Sequence, residues 1–491
     1  MKAILVATIG TRDLMFQISS GEWYNIGDDQ MQDGEIIGEQ AEVLADLSFS
    51  QTSFRDLTHH FYQGMEHYRS RIQPVIIGKL ITDQFQQFER VYLIGTDQAD
   101  GISQRKKDTV FACELIKNWV LHHYNIPTEI ITLGTNGENP SNFEQMFRWW
   151  QTVWRDRIKP QTEQPILLCL KGCVAQTAEA GRISGLSAYG DLIQFFDFIQ
   201  NTEINRKGIP SDYIGPILGT NYLWDRTQQQ ALKLLDRYDY AGAYDVLKPY
   251  LQQDTAGFGA IPIWLKAGTA WNRGEFQTFL QLAKSTLSSS EQRQGQQWWW
   301  MAYEQAQLAV IRLAQENTTE AMLHSFRAVE GLIWTWIDAH IASHTNYPPQ
   351  RYPQLLSSIC NVYPALHAKF VDQRTQASLT SINLNGYIQQ SLIEAAFPTT
   401  TASLDYQNFW SQDNRNLRNT FSHRLGGIAQ RDLFAAWGQD IQNSSAWQTR
   451  ILNCLNLITG QSMKSLTQAS LFMQIHPKLK TAISDYYPPN P

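Results

Sequence analysis

Near the carboxyl end of this 491-residue chain, the segment Arg415-Asn416-Leu417-Arg418-Asn419-Thr420-Phe421-Ser422-His423 gathers guanidinium, amide, hydroxyl and imidazole groups. On a helix turning by about 100° per residue, Arg415, Arg418, Asn419, Ser422 and His423 share one face, and Leu417, Phe421 and Leu425 point the other way. A guanidinium stabilises charge that develops on phosphoryl oxygens, and an imidazole moves protons near neutral pH. Together they supply what cleavage of RNA by its own 2′-hydroxyl needs, with no metal ion. An arginine followed at this distance by a histidine also arises by chance: Arg55 and His60 repeat the spacing, with Asp56 after the arginine. That pair reads as surface residues of an amphipathic helix. The asparagine after Arg418, the shared polar face and the helical surroundings set the later segment apart. The alternative for His423 is a helix histidine bonded to a backbone carbonyl.

Glu330 falls, by the same angular reading, within the apolar stripe of a helix around Ala321–Ile337 that includes Phe326, Ile333, Trp334 and Ile337. A carboxylate there is costly unless paired, so it is expected to brace Arg415 or Arg418, or else to reach water at the rim. Trp149 and Trp150, and the run Trp298–Trp300, stand at helical spacing and read as core or interface residues rather than base-stacking platforms.

A second set of groups follows the apolar runs of the first half. Gly10-Thr11-Arg12-Asp13 comes directly after Ile4–Thr8. The loop Gly95–Asp108 opens near Thr96 and holds Arg105-Lys106-Lys107. Lys171-Gly172-Cys173-Val174-Ala175-Gln176 follows Ile166–Leu170 and opens a helix. Backbone amides, hydroxyls and cations are phosphate-binding groups. Each loop alone is commonplace, but three at the carboxyl ends of parallel strands point to a site for an anionic nucleotide. No Gly-x-Gly-x-x-Gly and no Walker loop is present, which argues against ordinary dinucleotide or ATP binding.

The elements that must position these groups are of two kinds. Up to about residue 205, short apolar runs (Ile4–Thr8, Val75–Ile77, Val91–Ile94, Glu129–Thr132, Ile166–Leu170) alternate with amphipathic segments at 109–124 and 142–158. This predicts an α/β, Rossmann-like parallel sheet over 1–205. A helical connector follows over 206–290, with hairpins at Gln228–Leu251 and Pro262–Leu287, then a linker at 288–297. The last part, 291–491, reads as an all-α domain. With 43% hydrophobic and 18% charged residues the chain is globular. Lys and Arg number 40 against 46 Asp and Glu, a net charge of −6, which excludes binding of long nucleic acid by a bulk positive field. Any anion must be held by a local cluster. Five cysteines, with one close pair, give neither a disulfide framework nor a zinc site, and no metal is expected. No apolar run approaches membrane-spanning length, so a reduced, cytoplasmic protein with no membrane partner is expected.

This arrangement resembles the CRISPR-associated CARF–HEPN ribonucleases of type III systems along the whole chain. Ile4-Leu5-Val6-Ala7-Thr8-Ile9-Gly10-Thr11-Arg12-Asp13 is similar to the first strand and Gly-Thr/Ser-x-Asp turn of a CARF domain. Arg418-Asn419-Thr420-Phe421-Ser422-His423 matches the HEPN pattern Arg-x(4–6)-His. The resemblance implies a homodimer whose CARF domains bind a cyclic oligoadenylate, with no other cofactor. Binding would activate a composite HEPN site that cuts single-stranded RNA without metal, leaves a 2′,3′-cyclic phosphate and serves antiviral defence. Arg418 and His423 become the catalytic pair, Asn419 a positioning group, and Gly10, Thr11, Arg12 and Asp13 ring contacts. The loop with Lys171, Gly172 and Gln176 stands where the family carries a Gly-Gly-Thr-like loop, yet reads Lys-Gly-Cys. Arg105 and Lys106 are assigned to the ligand on charge, and Arg415 to the catalytic face on its helical position. The alternative is a nucleotide-sensing protein whose helical domain recruits a partner and does no chemistry.

Overall fold

The computed structural model describes residues 1–487 apart from 28–29, 33–34, 51, 255 and 424–425; the side chains of 28–37, 253 and 422–423 also lie outside the described set. Two units result, one over Met1–Asp225 and the other from Arg226 onward.

In the first unit, six strands form one sheet: β1 (Ala3–Thr8), β2 (Phe88–Thr96), β3 (Thr128–Leu133), β4 (Ile166–Cys169), β5 (Ile193–Ile199) and β6 (Asp212–Leu218), in the order β6-β5-β4-β1-β2-β3. Every pair is parallel except β5 with β6. All residues of β1 and β4 are buried, as strands covered on both faces require. Alternation then sorts their side chains. Leu5 and Ala7 join Val91 and Leu93 in one core, and Ile4 and Val6 join Tyr92 and Ile94 in the other. Helix Phe143–Val153 and the turn after it bring Trp150 and Trp154 onto the second core, stacked at 5.2 Å. Trp150 Nε1 donates to the Thr177 carbonyl at 3.0 Å, so this tryptophan is a core residue with its polar end satisfied.

Two sequence expectations are corrected here. Val75–Ile77 is a buried bend, not a strand of the parallel sheet; Ile72–Pro74 just before it pairs antiparallel with Leu14–Gln17 in a separate small sheet. The main sheet also runs past residue 205, because β6 returns antiparallel along β5. Its Gly215-Pro216 pair disguises it in the sequence, and an edge position is where a strand tolerates proline.

The second unit is mostly helical. The hairpins expected at 228–251 and 262–287 are present. Asp239 caps helix Tyr240–Gln253 by accepting from the Gly242 amide at 2.8 Å, and Ile261–Asn272 turns back through Phe276–Ala283. They are not a separate connector. Trp271 stacks on Phe472 at 4.6 Å. The fully buried Glu304 accepts from Trp271 Nε1 at 2.8 Å, Ser470 Oγ at 2.6 Å and the Leu471 amide, tying three helices together. Burial pushes the Glu304 pKa up to about 7 in spite of these bonds. The expected linker is a short helix, Ser289–Gln294, opened by a capping box between Ser288 and Glu291. A small antiparallel sheet of Thr345–Asn346, Gln354–Leu356 and Ser381–Asn383 interrupts the helices. Trp299 and Trp300 are buried. No helix among the described residues is long and apolar enough to cross a membrane.

Candidate functional site

From β1 the chain runs to one side through β2 and β3, then returns to place β4 on the other side of β1. The loops after β1 and β4 therefore part and leave a crevice at the carboxyl ends of the strands. A cavity of about 530 Å³ opens there. Two glycines shape its floor. A Cβ on Gly10 would stand 2.7 Å from the Gly172 carbonyl oxygen, and one on Gly172 would collide with the Thr8 carbonyl, the Asp13 carboxyl and the Gly10 amide. Backbone meets backbone here, which no side chain permits.

Asp13 closes the first turn. Its Oδ2 accepts from the Gly10 amide, and its buried Oδ1 has no hydrogen-bond partner among the described residues. Burial pushes the Asp13 pKa up to about 7, against the lowering effect of the Gly10 bond. The carboxyl therefore keeps its proton to far higher pH than a free aspartate. Cys173 also lines the cavity; burial raises its pKa to about 11, so it stays a thiol.

Of the residues singled out in the sequence, the structure brings Gly10, Thr11, Arg12, Asp13, Thr96, Lys171 and Gly172 to the cavity wall. The Thr96 hydroxyl accepts from the Thr109 amide and the Thr109 hydroxyl from the Thr96 amide, so this threonine braces the loop. Arg105, Lys106 and Gln176 are not among the residues that line the cavity. Residues Ser103–Lys107 form a 3-10 helix, whose three residues per turn bring Gln104 and Lys107 to the cavity together, while Arg105 pairs with Asp100 at 3.0 Å. The basic cluster contributes Lys107. Sequence reasoning also missed Asn139, Ser141 and Gln200 on the wall. Their signal was position alone, in the loops after β3 and β5.

Arg55 is structural. It pairs with Asp97 at 2.8 Å and Asp108 at 3.1 Å, and lies over the Phe111 ring.

In the helical unit, helix Gln412–His423 turns differently from the expected amphipathic face. Asn414 and Arg418 are buried, Arg415, Leu417 and Phe421 are half-buried, and Asn419 is exposed. Asn414 Nδ2 donates to the Asn408 carbonyl at 2.8 Å. The Arg418 guanidinium carbon lies 4.2 Å from the Phe326 ring centre and 4.8 Å from that of Phe409. Burial lowers its pKa to about 10, with the Glu330 charge opposing and the Arg415 charge adding to that shift, so it remains a cation at neutral pH. Glu330 itself is exposed, as is Leu323, and the buried stripe runs instead through Phe326, Val329, Ile333 and Trp336. Its effect on Arg418 is through-space attraction. His423 ends the helix; its side chain and that of Ser422 lie outside the described residues.

No family model matches the sequence, and no curated protein matches it. Among solved structures, the chain is similar to Csm6 of Enterococcus italicus bound to cyclic hexa-2′-fluoro-hexa-dAMP. The two share 12% sequence identity over 98% of this chain and 99% of that one, with a TM-score of 0.53. An N-terminal parallel α/β sheet followed by a mostly helical part is therefore a Csm6-like fold from end to end.

Proposed function

We propose that this chain is a cyclic-oligoadenylate-activated ribonuclease of CRISPR antiviral defence, cytoplasmic and acting on single-stranded RNA without a metal. The observation that carries the reading is the cavity at the sheet's switch point, floored by Gly10 and Gly172, in a fold shared with a protein solved bound to a cyclic hexanucleotide. In this reading residues 1–205 and the return strand β6 form the sensing part, and the helical remainder holds the HEPN chemistry. Arg12, Lys107 and Lys171, with the amides around Gly10 and Gly172, meet the ring phosphates.

For cleavage, His423 of one copy takes the proton of an RNA 2′-hydroxyl as its oxygen bonds to phosphorus. The 5′-oxygen then leaves with a proton from the second copy's imidazolium. The products are a 2′,3′-cyclic phosphate and a 5′-hydroxyl. Arg418 offsets charge on the phosphoryl oxygens, with Arg415 beside it, and Asn419 positions the strand. Guanidinium N–H groups lie in the plane of the group, so a face packed on Phe326 and Phe409 is compatible with an edge turned to phosphate. A homodimer supplies two copies of these groups. The activator works by binding the competent arrangement more tightly than the resting one.

One observation favours a second reading. Arg418 is 7% exposed and seated on two rings, the setting of a structural arginine in a helical unit that recruits a partner and performs no chemistry. RNA cleavage in EDTA, with and without cyclic tetra- and hexa-adenylate, separates the two. The ribonuclease reading expects ligand-dependent cleavage that vanishes in His423→Ala while ligand binding persists. Ligand binding without cleavage in the unaltered protein establishes the second reading.

A further inference from the structure

Beside helix Gln412–His423 lies a group of side chains of which the ribonuclease reading uses only Arg415. Arg415 extends from that helix over the Trp410 ring, with its guanidinium carbon 5.6 Å from the ring centre. It lies along Gly386, where a Cβ would stand 3.2 Å from its Nη2. The next residue, Tyr387, is 56% exposed although most aromatic rings of this unit are buried. Lys369, from the 3-10 segment Pro364–Phe370, puts its ammonium 3.9 Å from the Tyr387 ring centre and bonds the phenol oxygen. Neither Lys369 nor Arg415 forms an ion pair with a carboxylate among the described residues, so both charges are available to an anion.

An exposed aromatic ring that carries one such cation, with a second beside the preceding residue, suits one kind of ligand well. A base stacks on a ring whatever its sequence, and the flanking phosphates meet the cations. A duplex keeps its bases stacked within itself and cannot use such a ring. An apolar protein surface would bury both cations without partners. We infer that Tyr387, with Lys369 on its ring and Arg415 beside the neighbouring Gly386, is a stacking platform for single-stranded RNA leading to the helix that ends at His423. This rests on the ribonuclease reading and adds to it a surface that holds the substrate strand outside the reacting groups.

The test uses full-length protein and a fluorescent single-stranded RNA. In the background of His423→Ala, Tyr387→Ala is expected to weaken RNA binding by anisotropy about tenfold, and Tyr387→Phe to leave it within about twofold. Lys369→Ala should reduce the slope of log affinity against log salt by about 0.7. With His423 intact and activator present, Tyr387→Ala should raise KM about tenfold and leave kcat within about twofold. Tyr352→Ala, at a 67% exposed tyrosine elsewhere in the same unit, is the control expected to change nothing. RNA binding in Tyr387→Ala equal to that of the unaltered protein, or a loss confined to kcat, overturns the platform. Should the activated protein cleave no RNA, the ribonuclease reading falls, and the anisotropy comparison still decides the platform by itself.

Discussion

Asp13 and Gly172 are the residues on which the cavity at the strand ends turns, and each gives an expected outcome. An aspartate in the unfolded chain titrates near 3.9, whereas folded Asp13 titrates at about 7. Between those values the folded state holds a proton that the unfolded state has released, so stability falls as pH rises from about 4 to about 7 and levels off above. Asp13→Asn keeps an acceptor for the Gly10 amide and removes this titration. Its urea-unfolding free energy should decline less over that window than that of the unaltered protein; parallel profiles would contradict the assignment. Glu304, raised in the same direction, contributes the same slope to both proteins and cancels in the difference. Gly172→Ala puts a methyl group into the Thr8 carbonyl and the Asp13 carboxyl. Titration calorimetry should show activator affinity reduced at least tenfold, while the far sequence unit keeps its helical signal.

At the scale of elements, helix Gln412–His423 shows both what the sequence discloses and what it hides. Its existence and its Arg and His were legible, because the residue types are rare in combination. Its rotation was not. The apolar residues Leu417 and Phe421 suggested the inward face, but the Phe326 and Phe409 rings accept the Arg418 guanidinium and draw the opposite side in. Arg418→Ala would empty the space over two rings and should cost about 2 kcal/mol in urea unfolding. Arg415→Ala, half exposed, should cost under about 0.5 kcal/mol. Equal losses would contradict the packing described. Central strands β1, β2 and β4 were readable as continuous apolar runs, while β5, whose run is broken by Gln194 and Asp197, and β6, an antiparallel return with Gly-Pro, escaped. The segment 288–297 looked like a linker by composition, yet Ser288 and Glu291 spell a capping box. At the cavity, charge density pointed to Arg105 and Lys106, and the 3-10 turn brings Lys107 to the wall.

For the whole molecule, the sequence disclosed the succession of a parallel α/β sheet and a helical part, and the fold of Csm6 shares it along nearly the full chain. What it did not disclose is where the helical part begins to pack as one body, since Trp271, Glu304 and Phe472 are far apart in sequence and meet only in the core. Glu304→Ala would leave the Trp271, Ser470 and Leu471 donors buried without their acceptor. It should cost about 3 kcal/mol or more by urea denaturation; a cost below about 1 kcal/mol would show that these helices do not depend on it. The central claim, that a ring nucleotide in the sheet unit commands chemistry in the helical unit, is tested most directly by one time course. Labelled single-stranded RNA is incubated in EDTA with the protein, with and without cyclic hexa-adenylate and cyclic tetra-adenylate. The account predicts fragments ending in a 2′,3′-cyclic phosphate only when one of the rings is present, and none with His423→Ala; cleavage that ignores both rings, or persists without His423, would contradict it.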